Sequence, residues 1–135
     1  MGQSNEFPKG CLAPGEWVKD LEATEIGDAN WRDGSWGNNA APSWEFVQGN
    51  LVLAEAFYYT TRNAERYTEH FDGQPYVSVV MFDEDENPTV AFEASPEDLL
   101  DMVRAAARRP EAPATAFLRA AENVPSERVQ WNRDI

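Results

Sequence analysis

Between Tyr76 and Pro110 the chain has few ways to fold. Tyr76 to Phe82 is a dense run of β-branched and aromatic residues, which a pleated, half-buried surface accommodates best. Thr89 to Glu93 repeats that composition after the polar link Asp83-Glu84-Asp85-Glu86-Asn87-Pro88, so the two runs read as the strands of a hairpin. Ser95-Pro96-Glu97-Asp98 then opens a helix. Ser95 can cap an orphan backbone N–H, and Pro96 has its φ preset for the first helical position. The two acids sit at the positive end of the macrodipole. Leu99, Val103 and Ala106, flanked by Leu100, Met102 and Ala107, form the apolar face; Arg104, Arg108 and Arg109 lie toward the negative end, and Pro110 closes the helix. A hairpin followed by a helix with an apolar stripe to bury predicts an antiparallel sheet with helices on it.

The flanking segments extend this plan. Pro113 starts a second short helix with Phe117, Leu118 and Ala121 on one face, ended near Pro125, and Arg128 to Trp131 reads as a last strand. Residues 44–71 carry two patterns at once. Gly49-Asn50 between Trp44–Gln48 and Leu51–Tyr59 has the form of a two-residue hairpin turn. Leu53, Phe57, Thr60, Ala64, Tyr67 and Phe71, however, recur at steps of four and three with Asn50 placed to cap, and this spacing favours a helix over about 52–69. The first 43 residues hold six of the eight glycines and show no sustained period beyond one possible helical turn at Glu16 to Glu22. They read as an irregular Trp/Gly-rich arm, pinned to the core by its tryptophans. The expected fold is a single α+β domain: a small antiparallel sheet packed by two or three helices over residues 44–135, preceded by the arm at 1–43.

Charge narrows the functions open to such a chain. Its 135 residues carry 24 acids and 11 bases, a net charge of −13, which repels nucleic-acid backbones and anionic membranes. The excess is concentrated: residues 73–103 hold eight acids and no base, whereas residues 104–135 hold six bases and four acids. Cys11 is the only cysteine and His70 the only histidine, which excludes an intrachain disulfide, a thiolate zinc cluster and a His-rich metal site. The start of the chain lacks a basic, then apolar, secretory pattern, Glu6 stands where a myristoylation motif needs Ser or Thr, and no apolar run is long enough to span a membrane. These features point to a cytoplasmic protein. Abundant Ala and only two Lys among the eleven bases suit a bacterial or phage genome rich in GC, or a salt-adapted host.

The chemical motifs are weak. Asp83, Asp85 and Asn87 match the first three ligand positions of a calcium loop, but Pro88 replaces the required Gly and Ala94 the bidentate Glu. His70 lies near Glu69 and Asp72 in sequence, a possible general base without an identifiable nucleophile. Gly34-x-x-Gly37 follows no strand and precedes no helix, so it is no phosphate loop. Neither a cofactor, a metal site nor a catalytic residue is assigned. Trp31, Trp36 and Trp44 are candidate anchors on a partner, because Trp is enriched at binding hot spots; their other role is to fill the core. Asp83, Glu84, Asp85, Glu86, Glu97, Asp98 and Asp101 are candidate steering charges toward a basic surface.

The stretch from Ala116 to Trp131, a helix followed by Pro125-x-x-x-Val129-x-Trp131, resembles the C-terminal ending of deaminase-associated immunity proteins of bacterial polymorphic toxin systems. The resemblance covers about 16 of the 135 residues and implies a small, acidic, cytoplasmic α+β protein that binds and blocks a cognate toxin. The leading expectation is therefore a non-enzymatic acidic protein that blocks a basic protein partner, as an immunity protein, another inhibitor or a nucleic-acid mimic. The alternatives are an accessory subunit held through the Trp-rich arm, a small enzyme using His70, and, less favoured, a carbohydrate-binding module. Oligomeric state is left open.

Overall fold

The computed structural model describes residues 13–34, 42–59 and 74–133. Within them, seven strands form one antiparallel meander in sequence order: β1 (Glu25–Ile26), β2 (Ala29–Asp33), β3 (Ser43–Gln48), β4 (Leu51–Tyr59), β5 (Tyr76–Phe82), β6 (Pro88–Ala94) and β7 (Val129–Asn132). Among the described residues three α-helices complete the α+β fold: α1 (Gly15–Ala23) before β1, then α2 (Pro96–Ala106) and α3 (Pro113–Glu122) between β6 and β7. The helices lie on one face of the sheet, and the core sits between the two layers.

Strand alternation selects that core face. Trp31, Trp44, Phe46, Ala54, Ala56, Tyr58, Val77, Val79, Met81, Val90, Phe92, Ala94 and Val129 point to it and are buried with Trp17 and Leu21 of α1, Leu99 and Val103 of α2, and Phe117 of α3. Phe117 reaches Trp31, Phe46 and Phe92 with ring centroids 5.5, 5.7 and 6.0 Å away, so one α3 side chain ties β2, β3 and β6 together. Trp17 does the same for β3 and β4, 5.4 Å from both Trp44 and Tyr58.

The α2 start forms as its sequence requires. Ser95 Oγ accepts a hydrogen bond from the Asp98 backbone N–H at 3.0 Å, and Pro96 occupies the first turn. The Asp98 side chain is buried and paired with Arg128, which belongs to the short 3₁₀ turn Ser126–Arg128 leading into β7. That link fastens the last strand to the helix layer.

Two sequence expectations are corrected. Residues 51–59 are a strand, so the hairpin alternative holds at Gly49-Asn50 and the helix proposed for about 52–69 does not form there; residues 60–69 lie outside the described ones. Gly49 has φ +63° at the first central position of the turn, where a two-residue hairpin favours glycine. The arm is also more regular than expected: among its described residues, 13–34, the chain forms α1, β1 and β2, and β2 pairs with β3 over five residues. Gly27, φ +60°, makes the β1–β2 turn possible, and a Cβ there would meet Pro113 Cγ at 3.3 Å.

Candidate functional site

The second face of the sheet carries the functional candidates. Arg32 of β2, Glu45 of β3, Glu55 of β4, Val80 of β5, Ala91 of β6 and Asn132 of β7 pair successively across six strands and share this face. The adjacent row runs Ser43, Phe57, Ser78, Glu93 and Gln130. All three described helices lie on the opposite side, and Val52, Phe57, Val80 and Phe82 are only half-buried here.

Glu45 and Glu55 stand directly opposite one another on neighbouring strands, an arrangement that is destabilising for like charges. Arg32 Nη2 lies 3.4 Å from Glu45 Oε1 and is 60% exposed, so it screens Glu45 from one side only. Among the described residues no cation lies within ion-pair distance of Glu55. Partial burial pushes the Glu55 carboxyl above the ordinary glutamate range, and the Glu45 charge raises it further. Glu86 joins this pair from the β5–β6 turn: Glu45, Val52, Glu55, Phe82 and Glu86 line a cleft of about 180 Å³. The turn is held by Asp83, whose Oδ1 accepts from the N–H groups of Asp85 and Asn87, both at 2.9 Å. The calcium-like spacing thus builds a turn, with Asp83 bonded to its own backbone.

The sequence candidates disperse. Asp83, Glu84, Asp85 and Glu86 are all exposed in the turn before β6, whereas Glu97 and Asp101 are exposed on α2, which follows β6. Seven residues of extended chain separate the groups by about 20 Å, so the acids of 83–101 do not form one surface. Asp98 is 6% exposed and engaged by Arg128, which removes it from the steering set.

Trp31 and Trp44 are corrected from partner anchors to core residues. Trp31, 1% exposed, stacks on Phe46 at 4.9 Å, and its Nε1–H is buried without a hydrogen-bond partner. Trp44, 3% exposed, donates its Nε1–H to Glu22 Oε2 at 2.8 Å and meets Trp17 edge-on. An accessory subunit held by the arm loses two of its three proposed anchors. Trp36, His70 and Cys11 lie outside the described residues.

Two further hollows flank the sheet. One, about 400 Å³, lies along β5–β7 and is lined by Ser78, Glu93, Gln130, Trp131 and Asn132 among others. The other, about 620 Å³, is walled by Trp17, Tyr58, Pro96 and Leu100. Burial there raises the Tyr58 phenol above its usual range, with a smaller contribution from Glu97. No helix among the described residues is long and apolar enough to cross a membrane. Compared with family models, with curated proteins and with solved structures, the chain matches none.

Glu45 and Glu55 were not candidates from the sequence. Counted straight back from Gly49-Asn50, Glu45 would face Ala54. A bulge at the Phe46/Val47 step pairs Phe46 with Ala54 and Val47 with Val52, and this extra residue brings Glu45 opposite Glu55. Only the bulge reveals the pair.

Proposed function

We propose that this is a non-enzymatic acidic binding protein that blocks a protein partner with a basic surface, as an immunity protein or related inhibitor does. The observation that supports this reading is the convergence of Glu45, Glu55 and Glu86 in one cleft, continuous with the exposed acids Asp83, Glu84 and Asp85. Two strand positions and one turn position bring three carboxylates together, of which, among the described residues, only Glu45 has an ion-pair partner, the exposed Arg32, and the fold itself gains nothing from their repulsion. A chain of net charge −13 approaching a basic surface gains in association rate from long-range attraction, and exposed charges of this kind set encounter more than final affinity. One cysteine in the whole chain, Cys11, suits a reducing cytoplasmic compartment.

A tagged pull-down from the native host, at low salt and at about 0.15 M where the screening length is ~8 Å, tests the reading. The expected result is a basic protein recovered at low salt, depleted at higher salt, and depleted again by combined Asp83→Asn, Asp85→Asn and Glu86→Gln changes. A partner retained equally under all these conditions removes charge steering and with it this proposal.

A further inference from the structure

We propose that the face of the sheet opposite the three described helices is the docking surface, and that it takes a basic, partly apolar segment of the partner with one arginine or lysine head group seated between Glu45 and Glu55. This deepens the function proposed above and rests on it.

The occupant follows from what the face presents. Its centre is apolar, with half-buried Val52, Phe57, Val80 and Phe82 on the adjacent strands β4 and β5, so it favours a packed partner over bulk water. Among the described residues, the charged groups that line the cleft are three carboxylates and no base. A cation there replaces the Glu45–Glu55 repulsion with charge-assisted hydrogen bonds, and Phe82, which lines the same cleft, is of the aromatic class that attracts a guanidinium. Arg32 cannot perform this task from its place on β2, because it pairs with Glu45 at 3.4 Å and lies one strand further from Glu55.

Size and charge remove the competing occupants. At about 180 Å³ the cleft is smaller than the ~300–1,000 Å³ of a small-molecule site, yet it admits the end of one side chain. A second copy of the chain would bring another −13 against this face. A nucleic acid would be repelled by the same carboxylates.

The test uses the full chain and a hexa-arginine peptide as probe, followed by nuclear magnetic resonance at low and at about 0.15 M salt. The expected shifts concentrate at Glu45, Val52, Glu55 and Phe82. A Glu45→Gln/Glu55→Gln double variant should weaken peptide binding about tenfold, the scale of a lost charge pair. Glu84→Gln/Asp85→Asn, outside the cleft lining, should weaken it by less than about threefold, as exposed charges do. The double variant relieves repulsion and gives up only the solvent-screened Arg32–Glu45 pair, so its folding is not at risk. Peptide that binds only at the 83–86 turn or on α2, with the cleft unperturbed, overturns the docking site but leaves the basic-partner reading standing. Absence of binding at low salt, or equal binding by the double variant, also overturns the site; the pull-down then decides separately on the wider function.

Discussion

At the residue scale, the Glu45–Glu55 pair sets a cost that a single atom-for-atom change removes. Glu55 has its carboxyl raised in the folded state, first by burial and second by Glu45. A raised carboxyl binds its proton more tightly in the folded chain than in the unfolded one, so this group opposes folding above its folded value. The penalty fades as pH falls through that value and is absent below the unfolded glutamate range near 4. Glu55→Gln is therefore expected to stabilise the protein at pH 7 by about 0.5 kcal/mol, the scale of one cross-strand pair with a solvent-screened charge. Urea denaturation at pH 7 and at pH 3.5 checks the sign: the gain should appear at the first and vanish at the second. A loss of stability at pH 7 would mean that Glu55 has a favourable partner. Trp31 illustrates the opposite outcome at this scale. Its composition-based promise as a surface anchor gives way to a core position between Phe46 and Phe117, at the expense of one unpaired indole N–H.

At the scale of elements, legibility followed local chemistry. The β5 bounds, the α2 cap and the β7 strand could all be read because each is specified by residues within a few positions: β-branched runs, Ser95-Pro96, and a Pro-bounded Val129–Trp131. The β4 sequence imitates a helix for a physical reason. Its buried residues are Leu53, Ala54, Ala56 and Tyr58, two of them small, whereas Leu51, Phe57 and Tyr59 occupy half-buried positions. Side-chain size thus stood out at the wrong positions, and the spacing of Leu53 and Phe57 imitated a helix. The face opposite the described helices was equally hidden, because its Glu45–Glu55 register depends on a bulge that no local pattern announces. The Asp98–Arg128 link is a long-range feature of the same kind, joining α2 to the turn before β7 across 30 residues. Arg128→Ala should leave the Asp98 carboxylate buried without its cation and destabilise the fold by about 1–3 kcal/mol. Hydrogen exchange should show the β7 amides losing protection before those of β5; uniform loss across the sheet would mean the link does not hold β7 in particular.

At the scale of the whole molecule, the charge on which the proposed function rests works against the chain's own compactness. Six ion pairs join described residues, and apart from Asp98 their side chains are all at least a quarter exposed, so each contributes little. A net charge of −13 repels itself throughout, most strongly where Asp83 to Glu86 adjoin Glu45 and Glu55. Screening should therefore help folding more than it harms the surface pairs. Raising salt from low ionic strength to about 0.15 M shortens the screening length to ~8 Å and is expected to move the urea midpoint upward. The same salt should weaken association with a basic partner, so stability and binding respond in opposite directions to one variable. The Asp83→Asn, Asp85→Asn and Glu86→Gln changes should imitate salt in both assays: higher stability, weaker binding. If added salt instead lowered the midpoint, ion pairing would outweigh self-repulsion, and the acids would belong to the scaffold and not to an interface.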